Sequence, residues 1–306
     1  MKLVVEADDA GRRIDQLLAA VAGVGSRSRA ERLVVGGHIE VNGKQALKSY
    51  RVSRGDEIEI PDAELAPPAK RTYQGSPVPV LYEDDDVVVI DKPAGMVVHP
   101  APGYNEPTLV EILAGAGTQL APSTDERFFR PGVVHRLDKD TSGVIMFAKT
   151  PHALRTLQKS LQDRSARREY TALVDGHVPS RAGRIEAAIG RDVRDAARRS
   201  IDTDHPKDAI THFVIQEILP STTLLRVRLE TGRTHQIRVH MQAIGHPVIG
   251  DQSYGDGPAF GVKRQFLHAA RLQFPHPVTG DTIEVASPLP DELHSALAEA
   301  RRAIAR

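Results

Sequence analysis

"RPGVVHRLDKDTSGVIMFAKT", residues 130–150, runs from a breaker through a charged loop into an apolar stretch. Pro131-Gly132 interrupts whatever precedes it, and Thr141-Ser142-Gly143 leads into "VIMFAK", which reads as a buried strand. Asp138 therefore sits on a loop that feeds a strand, where functional side chains are commonly displayed. Thr150-Pro151 then opens a helix over 151–163, with proline in its first turn.

Strand-like runs recur on either side: "VPVLYEDDDVVVIDKP", "REYTALVDG", "ITHFVIQEIL", "TTLLRVRLET" and "TIEVASP". Only two further helices interrupt them, at 234–244, stopped by Gly245, and at 290–305. Many strands with few helices predict an α+β domain over 78–306, its sheet mainly antiparallel rather than parallel and doubly wound. The stretch 61–77, rich in proline and small residues and without a period, reads as a linker.

Residues 1–60 read as a separate small α/β module. "GRRIDQLLAAVAG" puts Ile14, Leu17 and Leu18 on one helical face. Ser28 and Glu31 have capping-box spacing, and Gly36-Gly37 supply a stop. "HIEVNGKQA" reads as a hairpin with Asn42-Gly43 as a type I′ turn, and "DEIEI" as one more strand. Residues 10–54 hold nine Lys/Arg against three Asp/Glu, so Arg12, Arg13, Arg27, Arg29, Arg32 and Lys44 become candidate phosphate contacts.

Across all 306 residues the charges balance, 40 basic against 40 acidic, so any nucleic-acid surface must be local. There is no cysteine, which excludes a disulfide framework, a thiolate metal site and a cysteine nucleophile. The first residues turn acidic before any apolar run could act as a signal, and no stretch approaches 18 apolar residues. The expectation is a soluble, cytoplasmic protein without a membrane partner.

Spacing alone leaves the chemistry open. Asp138 or Asp140 could equally cap a turn or pair with Arg136, and Tyr170 on its strand is the usual pattern of a core tyrosine. In "LETGRTHQIRVHMQAIGHPVIGDQSYG", Ile237, Met241 and Ile244 make the core stripe of the helix, with Arg233 and Arg238 near its start. His235 and His240, five apart, do not stack on one helical face, so no metal site is expected. "DKPAGMVVHPAPG" fits neither nucleotide-binding glycine pattern. Arg164, Arg167 and Arg168, and further on Arg191, Arg194, Arg198 and Arg199, add basic clusters.

Taken together, "DKPAGMVVHP", "HRLDKDTSG", "REYTALVDG" and "LETGRTHQIRVHMQAIGHPVIGD" resemble, in order, the motifs of the RluA/RluD-type RNA pseudouridine synthases. The N-terminal module resembles an S4 RNA-binding domain. The resemblance implies a mixed, largely antiparallel sheet with a central catalytic cleft. It also implies isomerisation of uridine in RNA, most closely large-subunit ribosomal RNA, without a cofactor or metal. Separately from the resemblance, the expectation for the oligomeric state, which the sequence leaves open, is a monomer. Asp138 matches the family's essential aspartate; whether it attacks C1′, adds to the base or removes a ribose proton stays open. Arg238 matches the arginine that keeps this carboxylate charged and aimed. Tyr170 matches the tyrosine that packs on the base and is the candidate for taking the C5 proton. His135, Arg136, Arg168 and Arg233 are assigned to loop shaping or RNA contact, and Asp140 to structure. The segment "RRSIDTDHPKDAITHF" departs from the family pattern in being less basic.

Two rival classes remain at this level. One is an RNA-binding ribosome-assembly factor without turnover, the other a glycosidase, for which Asp138 and Asp140 make a poor carboxylate pair. Transfer RNA is the alternative substrate.

Overall fold

The computed structural model describes residues 1–21, 24, 27–62, 77–101, 104–123, 130–195 and 198–303, the side chains of Arg27, Ser28, Arg29 and Arg32 excepted. The chain packs as two units: 1–73 with 100–107 and 123–130, and 74–99 with 108–122 and 131–306. Most of the expected linker, 63–76, lies outside the described residues.

In the first unit, β1 (Lys2–Val4), α1 (Ile14–Ala19), α2 (Arg27–Val35), β2 (Glu40–Val41), β3 (Lys44–Gln45) and β4 (Glu57–Glu59) follow one another. The strands form an antiparallel sheet in the order β1-β4-β2-β3. Ile14, Leu17 and Leu18, the predicted helical face, are buried against Leu33, Val34, Ile39 and Ile58. Asn42 and Gly43 both have positive φ, 52° and 72°, as the type I′ turn demands. Ser28 lies inside α2 instead of before it, so it is not the helix cap that its spacing suggested.

Among the described residues the second unit holds one sheet of nine strands. They are β5 (Val80–Glu83), β6 (Val87–Lys92), β7 (Ser142–Ala148), β8 (Arg167–Asp175), β9 (Ala182–Glu186), β12 (Ile210–Ile218), β13 (Thr222–Leu229), β14 (Leu267–Pro275) and β15 (Thr282–Ala286). A separate two-strand ribbon joins β10 (Gly190–Arg191) to β11 (Arg199–Ser200). The order is β5-β6-β7-β14-β8-β13-β12-β9, with β15 on β14. Every pairing is antiparallel except β7 with β14, so the sheet is mixed, as expected. Helices α3 (Leu109–Gly115), α4 (Pro151–Gln162), α5 (Gln236–Ala243) and α6 (Asp291–Arg302) complete the unit.

All seven residues of β7 are buried, and Val144 and Met146 pack with Ala153, Leu154 and Leu157 of α4 and with Leu272 and Phe274 of β14. At roughly 1.5–3 kcal/mol for each large buried side chain, this strand is the anchor of the unit. Along β8 burial alternates, which puts Arg168 and Tyr170 on one face of the sheet and Arg167 and Glu169 on the other. Among the described residues no helix is long and apolar enough to cross a membrane.

Candidate active site

The loop before β7 is held from outside at every residue from 139 to 142. Lys92, at the end of β6 and with no exposed surface, donates from Nζ to the carbonyl of Lys139 at 2.8 Å and to those of Pro93 and Met96 at 2.9 Å. Three acceptors match the three N–H groups of an ammonium, although burial pulls Lys92 down to about 7. Arg264 donates to the Asp140 carbonyl at 2.9 Å and to Ser142 Oγ at 3.2 Å, and its Nε to Glu292 of α6 at 2.7 Å. Gln265 donates to Thr141 Oγ1, and Ser142 Oγ lies 3.0 Å from His268 Nδ1. Gly143, at φ 110°, closes the turn where any Cβ would stand 2.2 Å from the Ala269 carbonyl. The side chain of Asp138 is thus presented from an immobilised loop.

Helix α5 brings Arg238 to it. His235, at φ 58°, delays the helix to Gln236, two residues after the Thr234 start read from sequence. Gln236 locks the first turn: its Oε1 accepts from Thr231 Oγ1 and Arg233 N, and its Nε2 donates to Ile210 O and Thr211 Oγ1. Arg238, expected beside the core stripe, is buried along with Gln236, Ile237, Val239, His240 and Met241. Its Nη1 donates to Asp138 Oδ2 at 3.2 Å. Its Nε and Nη2 fork onto Asp251, at 2.6 and 2.8 Å.

Asp251 is fully buried and also accepts from the N–H groups of Ser253 and Tyr254. Burial pushes its carboxyl up, but the guanidinium and these N–H groups prevail and hold it below the usual carboxylate range. Burial likewise works against Arg238, and the two acids override it and raise its pKa. The guanidinium carbons of Arg238 and Arg198 lie over the Tyr254 ring, 4.9 and 5.0 Å from its centroid. Its hydroxyl meets His235 Nδ1 at 2.9 Å and accepts from Arg199 N–H at 2.8 Å. Asp138 keeps 21% of its side chain accessible, whereas Arg238 keeps 8%.

Tyr170 is buried on the same face of β8 as Arg168. Burial raises its phenol; the Arg168 charge opposes this and the Asp138 charge adds to it, which places both groups within electrostatic reach. Arg168 is buried too, donating to Thr231 O at 3.3 Å beside Gly232, so it faces the protein interior more than solvent. His135 is buried, its Nε2 accepting from Met146 N–H at 3.3 Å, and burial next to Arg168 pushes it down to about 3. The ring is neutral and enclosed, with its Nε2 turned to the backbone of β7. Arg136 and Arg233 are exposed, the first donating to Thr234 Oγ1 and the second to Asp208 O.

In the first unit Arg12 pairs with Asp9, while Arg13 grips the buried Asp15 at 2.9 Å and serves the module's own packing. Lys44 is exposed on its hairpin. Arg27, Arg29 and Arg32 lie on α2, their side chains outside the described set. His240 hydrogen-bonds Thr211 Oγ1 and Ala187 O, and His235 bonds Tyr254, so the two rings serve different partners. Sequence reading missed Asp251, Lys92 and Arg264 as members of this site. Asp251 ends the quoted "GHPVIGD" and Lys92 lies in "DKPAG", so the signal was present without a partner to give it meaning.

An accessible carboxylate stands on a fixed loop, beside a guanidinium fixed from behind by a second, buried acid. The chain belongs to the RNA pseudouridylate synthase family, which residues 86–243 match, while residues 12–58 match the S4 domain. It is 40% identical over 292 residues to the uncharacterised RNA pseudouridine synthase YlyB of Bacillus subtilis (strain 168), covering 95% of this chain and 94% of that protein. It is 39% identical over 316 residues to ribosomal large subunit pseudouridine synthase D of Xanthomonas campestris pv. campestris, covering 99% and 93%. The solved structure of human RNA Pseudouridylate Synthase Domain Containing 1 has a TM-score of 0.56 at 25% identity, over 77% of this chain and 100% of that one. The enzyme class is therefore RNA pseudouridine synthase, with RNA as substrate.

Proposed function

We propose that this enzyme modifies uridine in large-subunit ribosomal RNA, with Asp138 as the carboxylate that acts on the target nucleotide. The observation that carries this is the pairing of Asp138, one-fifth accessible, with a guanidinium whose other edge is fixed by Asp251. The ribosomal substrate is supported by the 39% identity, over nearly the whole chain, to a protein named for the large ribosomal subunit.

In this reading the N1–C1′ bond breaks, the base turns, and C5 bonds to C1′; the C5 proton leaves and N1 gains one. Atoms balance without a co-reactant. Asp138 supplies the negative oxygen at the sugar or base, as carboxylates do in glycoside chemistry. Arg238 donates to it and aims it. Tyr170 stays a neutral phenol and packs on the base. Loss of the C5 proton restores the conjugated ring, so a weak acceptor is sufficient. The target nucleotide leaves its stack to reach the loop, most cheaply where it is weakly paired. Arg136 and Arg233, with Arg12, Lys44 and the arginines of α2, supply phosphate contacts that set affinity and register.

The test is tritium release from C5-labelled uridine in large-subunit ribosomal RNA, wild type beside Asp138→Asn. Release by wild type alone is expected. Release by both would remove Asp138 from the chemistry, and release by neither, with the RNA bound, would point to another RNA or to an assembly role.

A further inference from the structure

Tyr170 and Arg168 lie on one face of the sheet at β8. The opposite face carries a row of charge that runs across five strands. Arg271 on β14 stands opposite Glu169, Glu169 opposite Arg228 on β13, Arg228 opposite His212 on β12, and His212 opposite Arg184 on β9. Arg226 and Arg167 flank that row on β13 and β8. A groove of about 560 Å³ lies along it, lined by Arg167, Glu169, His212, Arg226 and Arg228 among others.

The charges in this row are not treated alike. Arg271 pairs with Glu284, Arg184 with Glu186, and His212 with Glu230 at 2.6 Å. Arg167, Arg226 and Arg228 are exposed, and among the described residues their side chains have no hydrogen-bond or ion-pair partner. In a chain whose charges cancel overall, three guanidinium groups without a bonded partner stand against one carboxylate, Glu169, along this groove, which is a local positive excess. Arg226 and Arg228 project from one strand about 7 Å apart, so each fork can take its own phosphate along a strand of nucleic acid.

We propose that this face is a second RNA-binding surface. Arg167, Arg226 and Arg228 hold backbone phosphates of a segment of the substrate RNA other than the one whose uridine enters the cleft. The proposal rests on the reading of the substrate as a large RNA. β9 is the edge strand on this side, three strand spacings or about 15 Å from β8. Arg181 stands exposed at that edge. A folded ribosomal RNA can wrap it, whereas a short hairpin engaged in the cleft cannot.

The test compares wild type with Arg226→Gln/Arg228→Gln, and with Arg184→Gln/Arg271→Gln as a control that removes the same charge from paired positions. Filter binding of full-length large-subunit ribosomal RNA across salt, and tritium release from it and from a short hairpin holding the same uridine, are the readouts. For the groove variant the log–log salt slope should flatten by about 1.4–1.8 and KM for the long RNA rise about tenfold, with kcat and hairpin kinetics unchanged. The control should keep the wild-type slope. An unchanged slope and KM in the groove variant would overturn the proposal, as it would if the groove served an acidic protein. So would an equal change in the control. Absence of turnover by wild type on ribosomal RNA would instead sink the substrate reading, and the salt slope with the RNA it does modify would still decide the groove.

Discussion

The two sides of Arg238 differ in how completely they are satisfied. On one side Asp251, wholly buried, receives a two-pronged guanidinium and two backbone N–H groups. On the other Asp138 receives a single N–H at 3.2 Å and keeps a fifth of its surface accessible. One arginine therefore serves two carboxylates in different ways. The saturated acid fixes the guanidinium, and the unsaturated one retains lone pairs for a substrate. In the proposed function, structural and chemical work are divided between two aspartates that composition cannot tell apart.

That division can be broken experimentally. Asp138→Asn should cut turnover by at least about a thousandfold while changing stability by less than about 1 kcal/mol in urea unfolding, because its ion pair is partly exposed. Asp251→Asn should do the reverse in kind, costing about 3–5 kcal/mol by leaving Arg238 buried without its main counter-charge. If the two variants lost stability equally, the assignment of roles would be wrong. Arg238→Lys keeps a cation but loses the fork, and kcat should fall of order a hundredfold through misplacement of Asp138, with RNA affinity in filter binding unchanged.

Smaller effects sharpen the comparison. His135 is depressed from 6.5 to about 3, so the unfolded chain takes a proton that the folded chain refuses across that window. Its contribution is complete above pH 6.5 and is lost as pH falls toward 3, at up to about 1.4 kcal/mol per pH unit. His135→Gln should make the pH dependence of the urea midpoint shallower by about one proton. Tyr254→Phe keeps the ring under Arg238 but loses the hydroxyl bonds to His235 and Arg199, and should cost about 1 kcal/mol.

Local pattern made the strands around β6, β7, β8, β12 and β13 legible, along with the longer helices, because their apolar periods are strong. It did not reveal α3, although Thr108 and Glu111 have capping-box spacing and Glu111 Oε2 accepts from both Thr108 N–H and Oγ1. The same spacing occurs at Ser28 and Glu31, and there the helix begins two residues too early for Ser28 to cap it. β14 was missed because a bulge between Ala269 and Arg271 breaks its alternation. In the site, Asp138, Tyr170 and Arg238 came from resemblance, since spacing alone could not choose between a nucleophile and a turn cap. Asp251 lies thirteen residues from Arg238 and Arg264 more than a hundred from the loop it ties. Such contacts exist only after folding, and no local pattern encodes them.

The cage around Lys92 turns the active-site loop into something that can be timed. Its amine is out of reach of water-borne acylating reagents while its three carbonyl bonds hold, one of them from the residue next to Asp138. Each excursion that frees the loop uncovers a nucleophilic nitrogen. Mass spectrometry of the acylated peptide would therefore count loop openings, and RNA seated on the loop should slow the clock.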